Sequence, residues 1–156
     1  YIHWSPDSKQ LTFVDNGRNY YLVNVESGTV EKIDTDDLYV PGDLRQIHGD
    51  WSSDSKWLAY TKMTSTFFLR SFLYNMEEKK SYPVTDGLSD ATEPVFDRGG
   101  KYLYFLASTD AGPVVNWFQQ SVHDMNMTRN VYLAVLDKET ASPFLKESDE
   151  EEGIKE

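Results

Sequence analysis

Histidines and carboxylates are the side chains of this sequence that could move a proton or hold a metal, and their placement decides what chemistry is open to it. Three histidines occur, His3, His48 and His123. His3 and His48 each fall just before a tryptophan, Trp4 and Trp51, so one reading gives them a shared metal site. The other makes them strand or loop histidines with ordinary hydrogen bonds, and we adopt it. Asp7 and Asp54 could be taken for a catalytic carboxylate pair, but they occupy equivalent places in two copies of a repeat, which makes them turn residues. Asp86-Gly87, Asp90 and Glu93-Pro94 form an acidic connection that reads as structural. Asn126-Met127-Thr128 has the glycosylation pattern and is set aside. There is no Gly-x-Ser-x-Gly elbow, no His-Glu-x-x-His and no phosphate-binding Gly-Lys-Ser/Thr loop. With no cysteine, disulfides and thiolate metal sites are excluded. No catalytic, cofactor-binding or metal-ligating residue is assigned, and no cofactor is expected.

Charge narrows the partners. A formal net charge of −11 sets nucleic acid aside, because a phosphate backbone would be repelled. Part of that charge is the run Glu147, Asp149, Glu150, Glu151 and Glu152, which reads as a solvated tail or linker over 147–156; attraction of basic peptides is the sharper reading. No apolar stretch is long enough to span a bilayer, so no membrane partner is expected. The opening Tyr1-Ile2-His3-Trp4 reads as strand interior rather than a signal peptide, which suggests a piece of a larger protein. The cytoplasm is the favoured compartment, and the periplasm is compatible with the same features.

The elements that carry these residues follow from the repeat. Trp4-Ser5-Pro6-Asp7-Ser8-Lys9-Gln10-Leu11-Thr12-Phe13 returns as Trp51-Ser52-Ser53-Asp54-Ser55-Lys56-Trp57-Leu58-Ala59-Tyr60. It returns again, altered, as Phe96-Asp97-Arg98-Gly99-Gly100-Lys101-Tyr102-Leu103-Tyr104-Phe105. The copies start 47 and 45 residues apart, the period of a four-stranded propeller blade. Each aromatic ends a strand, a polar turn follows, and a lysine opens the next strand from the solvent side. Leu11 with Phe13, Leu58 with Tyr60 and Leu103 with Phe105 are then expected to alternate inward. A third strand follows at Tyr21–Val25, Phe72–Met76 and Tyr132–Leu136. A fourth is expected at Val30–Ile33, Tyr82–Thr85 and Pro143–Leu145, where proline suits an outer edge. The aromatic content of 14% fits strands.

The third unit is longer than the first by about nineteen residues, roughly Ser108 to Asn126. Val115, Phe118, Val122 and Met125 make an apolar stripe there, and Pro113 suits a first helical turn, so the insert is expected to be a short helix. It serves either as a lid on its own blade or as a surface that docks another domain or narrows a pore. The fold expected is therefore all-β: a partial β-propeller of three four-stranded antiparallel blades, about 1–33, 47–85 and 93–146, with a helical insert in the third. Three blades leave apolar wedge faces open at both ends, because closed propellers have four to eight. Further blades of a parent chain, or self-association of two copies, would cover them.

The Trp-Ser-Pro-Asp-Ser-Lys repeat is similar to the WD40-like repeat of TolB and of tricorn-type proteases. More specific is the last third of the chain: Phe105-Leu106-Ala107-Ser108-Thr109-Asp110-Ala111-Gly112-Pro113, then Val131–Leu136, then Ser142-Pro143-Phe144-Leu145-Lys146-Glu147. This resembles the end of the second propeller of tricorn-like serine peptidases. The resemblance implies a non-catalytic propeller segment that gates or channels peptides to a catalytic domain outside this chain, its partners being peptide substrates or other domains of the parent peptidase. A TolB-like protein-interaction scaffold is the alternative. No residue here matches a catalytic motif of the family.

Overall fold

The repeat dictates its turns first. In a computed structural model, which describes residues 2–38, 47, 49–109 and 128–145, all regular elements among the described residues are strands. β1 (Ile2–Trp4) and β2 (Gln10–Val14) are joined by the first repeat turn, β5 (Gly49–Trp51) and β6 (Trp57–Met63) by the second, and β9 (Asp90–Phe96) and β10 (Tyr102–Ser108) by the third. Each turn closes identically. The backbone N–H of Ser5, Ser52 and Asp97 donates to the carbonyl of Gln10, Trp57 and Tyr102 at 2.9, 2.9 and 3.0 Å. The residue before each lysine is left-handed: Ser8 and Ser55 at φ 60°, Gly100 at φ 69°. Glycine adopts that conformation freely and serine does not.

Three antiparallel sheets result. The first runs β1-β2-β3-β4, with β3 Asn19–Asn24 and β4 Val30–Thr35, and the second runs β5-β6-β7-β8, with β7 Leu69–Asn75 and β8 Lys80–Pro83. The third is β9-β10-β11, with β11 Asn130–Val135. Here one expectation is corrected. Pro143–Leu145 does not form the fourth strand of the third blade among the described residues; it lies in a turn, with Leu145 N–H donating to the Ser142 carbonyl at 3.0 Å and Phe144 N–H to Ser142 Oγ at 3.3 Å. A serine that captures its own backbone, followed by a proline with no N–H, favours a turn over a ladder. The expected insert at 108–126 lies outside the described residues except for its first two positions, and the 147–156 tail lies wholly outside them.

The core sits between the first two blades. Tyr20, Leu22, Ile47, Trp51, Leu58, Tyr60 and Tyr74 pack there as one cluster. Gly49 is tied to this cluster: a Cβ at that position would collide with the Tyr20 hydroxyl and stand 3.1 Å from the Ala59 carbonyl. Leu58, Tyr60 and Leu103 are fully buried as the alternation requires. Leu11 and Phe13 are only half-buried, while Thr12 between them is fully buried. The pattern is the same in all three blades, but the face of blade 1 that carries Leu11 and Phe13 has no neighbour among the described residues. Each blade repeats one cross-strand aromatic stack: Phe13 on Tyr21, Tyr60 on Phe72 and Phe105 on Tyr132, with ring centroids 5.0 to 5.9 Å apart.

Candidate functional site

Chemistry here is arranged at the joints between blades, at the inner strand edges and at the turn ends. The carboxylates singled out by sequence are turn acceptors. Asp7 Oδ1 takes the Ser5 hydroxyl at 2.6 Å and the Lys9 N–H at 3.0 Å; Asp54 Oδ1 takes the Ser52 hydroxyl at 2.6 Å and the Lys56 N–H at 3.0 Å. Those bonds, the serine hydroxyl foremost, hold both carboxyls below the usual carboxylate range. Asp97 does the same through the Tyr102 and Gly99 amides at 2.7 and 2.8 Å. Each of the two repeat aspartates thus serves its own turn, and the turns meet where the Asp7 N–H donates to Ser55 Oγ at 3.2 Å. His3 Nδ1–H donates to the Gly49 carbonyl at 3.0 Å, which ties the inner strand of blade 1 to that of blade 2. His48 and His123 lie outside the described residues. Among the described residues, no group of three His, Asp or Glu side chains is disposed to hold a metal ion.

Sequence reasoning missed the first joint. Tyr60 Oη donates to Asp34 Oδ2 at 2.6 Å, and Lys62 Nζ lies 2.9 Å from Asp34 Oδ1 and 3.3 Å from Asp37 Oδ1. Asp36, almost fully buried, accepts the Met63 N–H at 2.8 Å. Burial pushes the Asp36 carboxyl up to about 6, against the opposing pull of the Met63 amide, Arg18 and Lys62, and with the Asp34 charge adding to the rise. Burial, then the charge of Asp34, pushes the Tyr60 hydroxyl up strongly. Farther out, Tyr74 Oη meets Glu31 at 3.4 Å and Lys79 Nζ pairs with Glu31 at 2.7 Å. The signal was the acidic stretch Asp34, Asp36 and Asp37 after a strand, which composition alone does not distinguish from a solvated loop.

The second joint uses carboxylates on backbone instead. Asp90 Oδ1 accepts the Leu69 N–H at 2.9 Å while its Oδ2 lies 3.3 Å from Arg129. Asp50 Oδ2 accepts the Phe96 N–H at 3.0 Å, and Ser53 Oγ donates to the Arg98 carbonyl at 3.2 Å. Among the described residues β1, β5 and β9 each pair with another strand on one side only, and side chains meet their other edges, His3 at the Gly49 carbonyl and Asp50 at the Phe96 N–H. On β9 a bulge opposite Phe105 sets Glu93 at φ 53°, exposed and followed by Pro94. A bulge, a charge and a proline are what keep an open edge from pairing with another strand.

Among the described residues the end faces and a groove at the second joint remain uncovered. On blade 1, Ile2, Trp4, Phe13 and Val30 share an open face, with Ile2 69% exposed. On blade 3, Val95, Tyr104, Val131 and Val135 do likewise, with Val131 70% exposed. Between blades 2 and 3 a groove of about 330 Å³ is lined by Trp57, Leu73, Phe96 and Leu136.

Two four-stranded sheets and one three-stranded sheet, each opening on an inner strand paired on one side and following a repeat in the forties, define a β-propeller segment. The relatives then place it more narrowly. No protein-family model matches the chain. A tricorn-like protease C-terminal subunit of Sulfurisphaera tokodaii is 28% identical over 145 residues, covering 92% of this chain and 16% of that protein. The tricorn protease of Thermoplasma volcanium is 28% identical over 145 residues, covering 89% and 14%. In structure, the tricorn protease matches 91% of this chain and 14% of its own, with TM-score 0.68 and 20% identity. TolB of Acinetobacter baumannii matches 90% and 31%, with TM-score 0.59 and 16% identity. The expected resemblance is borne out: this chain is a homologue of a propeller segment of tricorn-type proteases, with TolB propellers as neighbours in fold. It spans about one-sixth or less of the curated relatives it matches.

Proposed function

We propose that this chain is a non-catalytic segment of the second propeller of a tricorn-like serine peptidase, and that it gates or channels peptides to a catalytic domain outside it. The observation that carries the reading is sequence similarity to tricorn proteases over nine-tenths of the chain, joined to inner strands that among the described residues pair with another strand on one side only. The bulged edge at Glu93 presents an exposed carboxylate to whatever passes that edge. Neighbouring blades of the parent cover the two apolar end faces, and 147–156 serves as an acidic linker.

These 156 residues hold no cysteine, so in a parent protein cleared of exposed cysteines elsewhere the label goes to one introduced position. In the full-length parent protein, Glu93→Cys is labelled with a maleimide polyethylene glycol. Hydrolysis of long peptides is expected to fall about tenfold or more, while hydrolysis of a small chromogenic substrate is retained. Equal rates for both substrates before and after labelling would remove the channelling role. The same outcome, with the parent bound to an unrelated protein partner through these blades, would favour the TolB-like scaffold reading, which rests on the TolB likeness in fold.

A further inference from the structure

Equivalent repeat positions line the groove at each of the two joints. At the first they are Gln10, Leu22 and Met76, and the ion pair Lys79–Glu31 stands at that groove. At the second they are Trp57, Leu73 and Leu136, with Phe96 added. All four of these apolar side chains are half-buried. Among the described residues no Lys, Arg or His lines this second groove, while Asp54 and Asp137 stand at its rim. Asp54 is held anionic by the Ser52 hydroxyl. Asp137 is fixed by its own turn, accepting the Glu139 N–H and the Thr140 hydroxyl, each at 3.1 Å. A volume of about 330 Å³ reaches the lower end of the range for ligand clefts and suits one bulky side chain. Tryptophan is the side chain most enriched where proteins grip a partner, and carboxylates beside it select a cation.

We propose that this groove binds an extended basic peptide, seating a large aromatic or aliphatic side chain against Trp57 with an adjacent Lys or Arg directed to Asp54 or Asp137. The site is on the turn end of a joint and not on the inner strand edges, so it goes beyond the channelling reading and does not depend on it.

The test uses the full-length protein that carries this chain and a capped peptide, Arg-Leu-X-Lys, with X a benzophenone-bearing phenylalanine for photo-cross-linking. The cross-link is expected to map beside Trp57, Leu73 or Leu136, to be competed by the plain Arg-Leu-Phe-Lys peptide, and to weaken with salt. Trp57→Gln, the residue blade 1 carries at this position, is expected to weaken labelling about tenfold. Asp137→Asn, which keeps the turn acceptor, is expected to weaken it about threefold. Cross-links confined to the inner strands, equal labelling by a Glu-Leu-X-Glu peptide, or no effect of either variant would each overturn the proposal. Unchanged rates in the Glu93→Cys assay would remove the channelling role and leave this labelling in place, so the two readings fail separately.

Discussion

The two blade joints solve one packing problem with different materials. Between blades 1 and 2 the strand backbones stand farther apart, and large rings fill the wedge: Tyr20, Trp51, Tyr60 and Tyr74. Between blades 2 and 3, β9 lies close against β5, β6 and β7, and small residues, Ala59, Thr61, Ser71, Ala91 and Thr92, are buried there beside the larger Leu103. Filling a wide gap with tyrosines brings in hydroxyls that need partners, and the first joint supplies half-buried Asp34 to Tyr60 with the cation Lys62 beside it, while buried Asp36 takes a backbone amide. At the closer gap Asp50 and Asp90 accept backbone amides, with Arg129 beside Asp90. The lesson is that one repeat, copied three times, fixes strand pairing but leaves the inter-blade chemistry free to diverge. That divergence is where a pH-responsive carboxyl, Asp36, and an open groove arise.

The largest break in this comparison is Tyr60→Ala. It removes a fully buried ring packed between Tyr20 and Phe72 and leaves Asp34 without its hydroxyl donor. A loss of about 3–5 kcal/mol is expected in urea unfolding. Asp90→Ala attacks the other joint by orphaning the buried Leu69 N–H and the Arg129 partner, with an expected cost of about 1–3 kcal/mol by the same measurement. If both variants cost the same and shift identically with salt, the two joints are alike after all.

Asp36 sharpens the comparison through pH. Its folded value of about 6 lies above the ordinary 3.8, so the folded state binds the proton more tightly. The stability this group contributes is present below the ordinary value and is lost as pH rises through about 6. Asp36→Asn keeps an oxygen for the Met63 amide and removes the titration. The variant is expected to be more stable than the parent by about 1–2 kcal/mol at pH 7, with the gain shrinking toward pH 4.5 in melting curves. A gain that grows on acidification would reverse the sign and disprove the assignment. The smallest effect belongs to a shared feature: Ser8→Gly relieves a left-handed serine and is expected to stabilise by about 0.5 kcal/mol, whichever joint is intact.

Strand order, the turns and their closing residues were legible in the sequence because they depend on local spacing. Trp4, Trp51 and Phe96 each end an inner strand, and the lysines precede the next, as their repeat positions require. Pro143–Leu145 misled because proline suits both an edge strand and a turn, and Ser142 decides between them only through its own hydrogen bonds. Asp34, Asp36 and Lys62 were not legible because their meaning comes from a neighbour some 25 to 28 residues away in sequence. Trp57 was visible as the odd member of the series Gln10, Trp57 and Tyr102, but only the joint shows that its ring lines an uncovered groove.

The most direct test of the account is a cryo-electron microscopy structure of the full-length parent protein. The account predicts that β1, β5 and β9 line a channel leading to a catalytic domain, with further blades covering Phe13 and Val30 at one end and Tyr104 and Val131 at the other. Inner strands turned away from any catalytic domain, or end faces left in solvent, would contradict it.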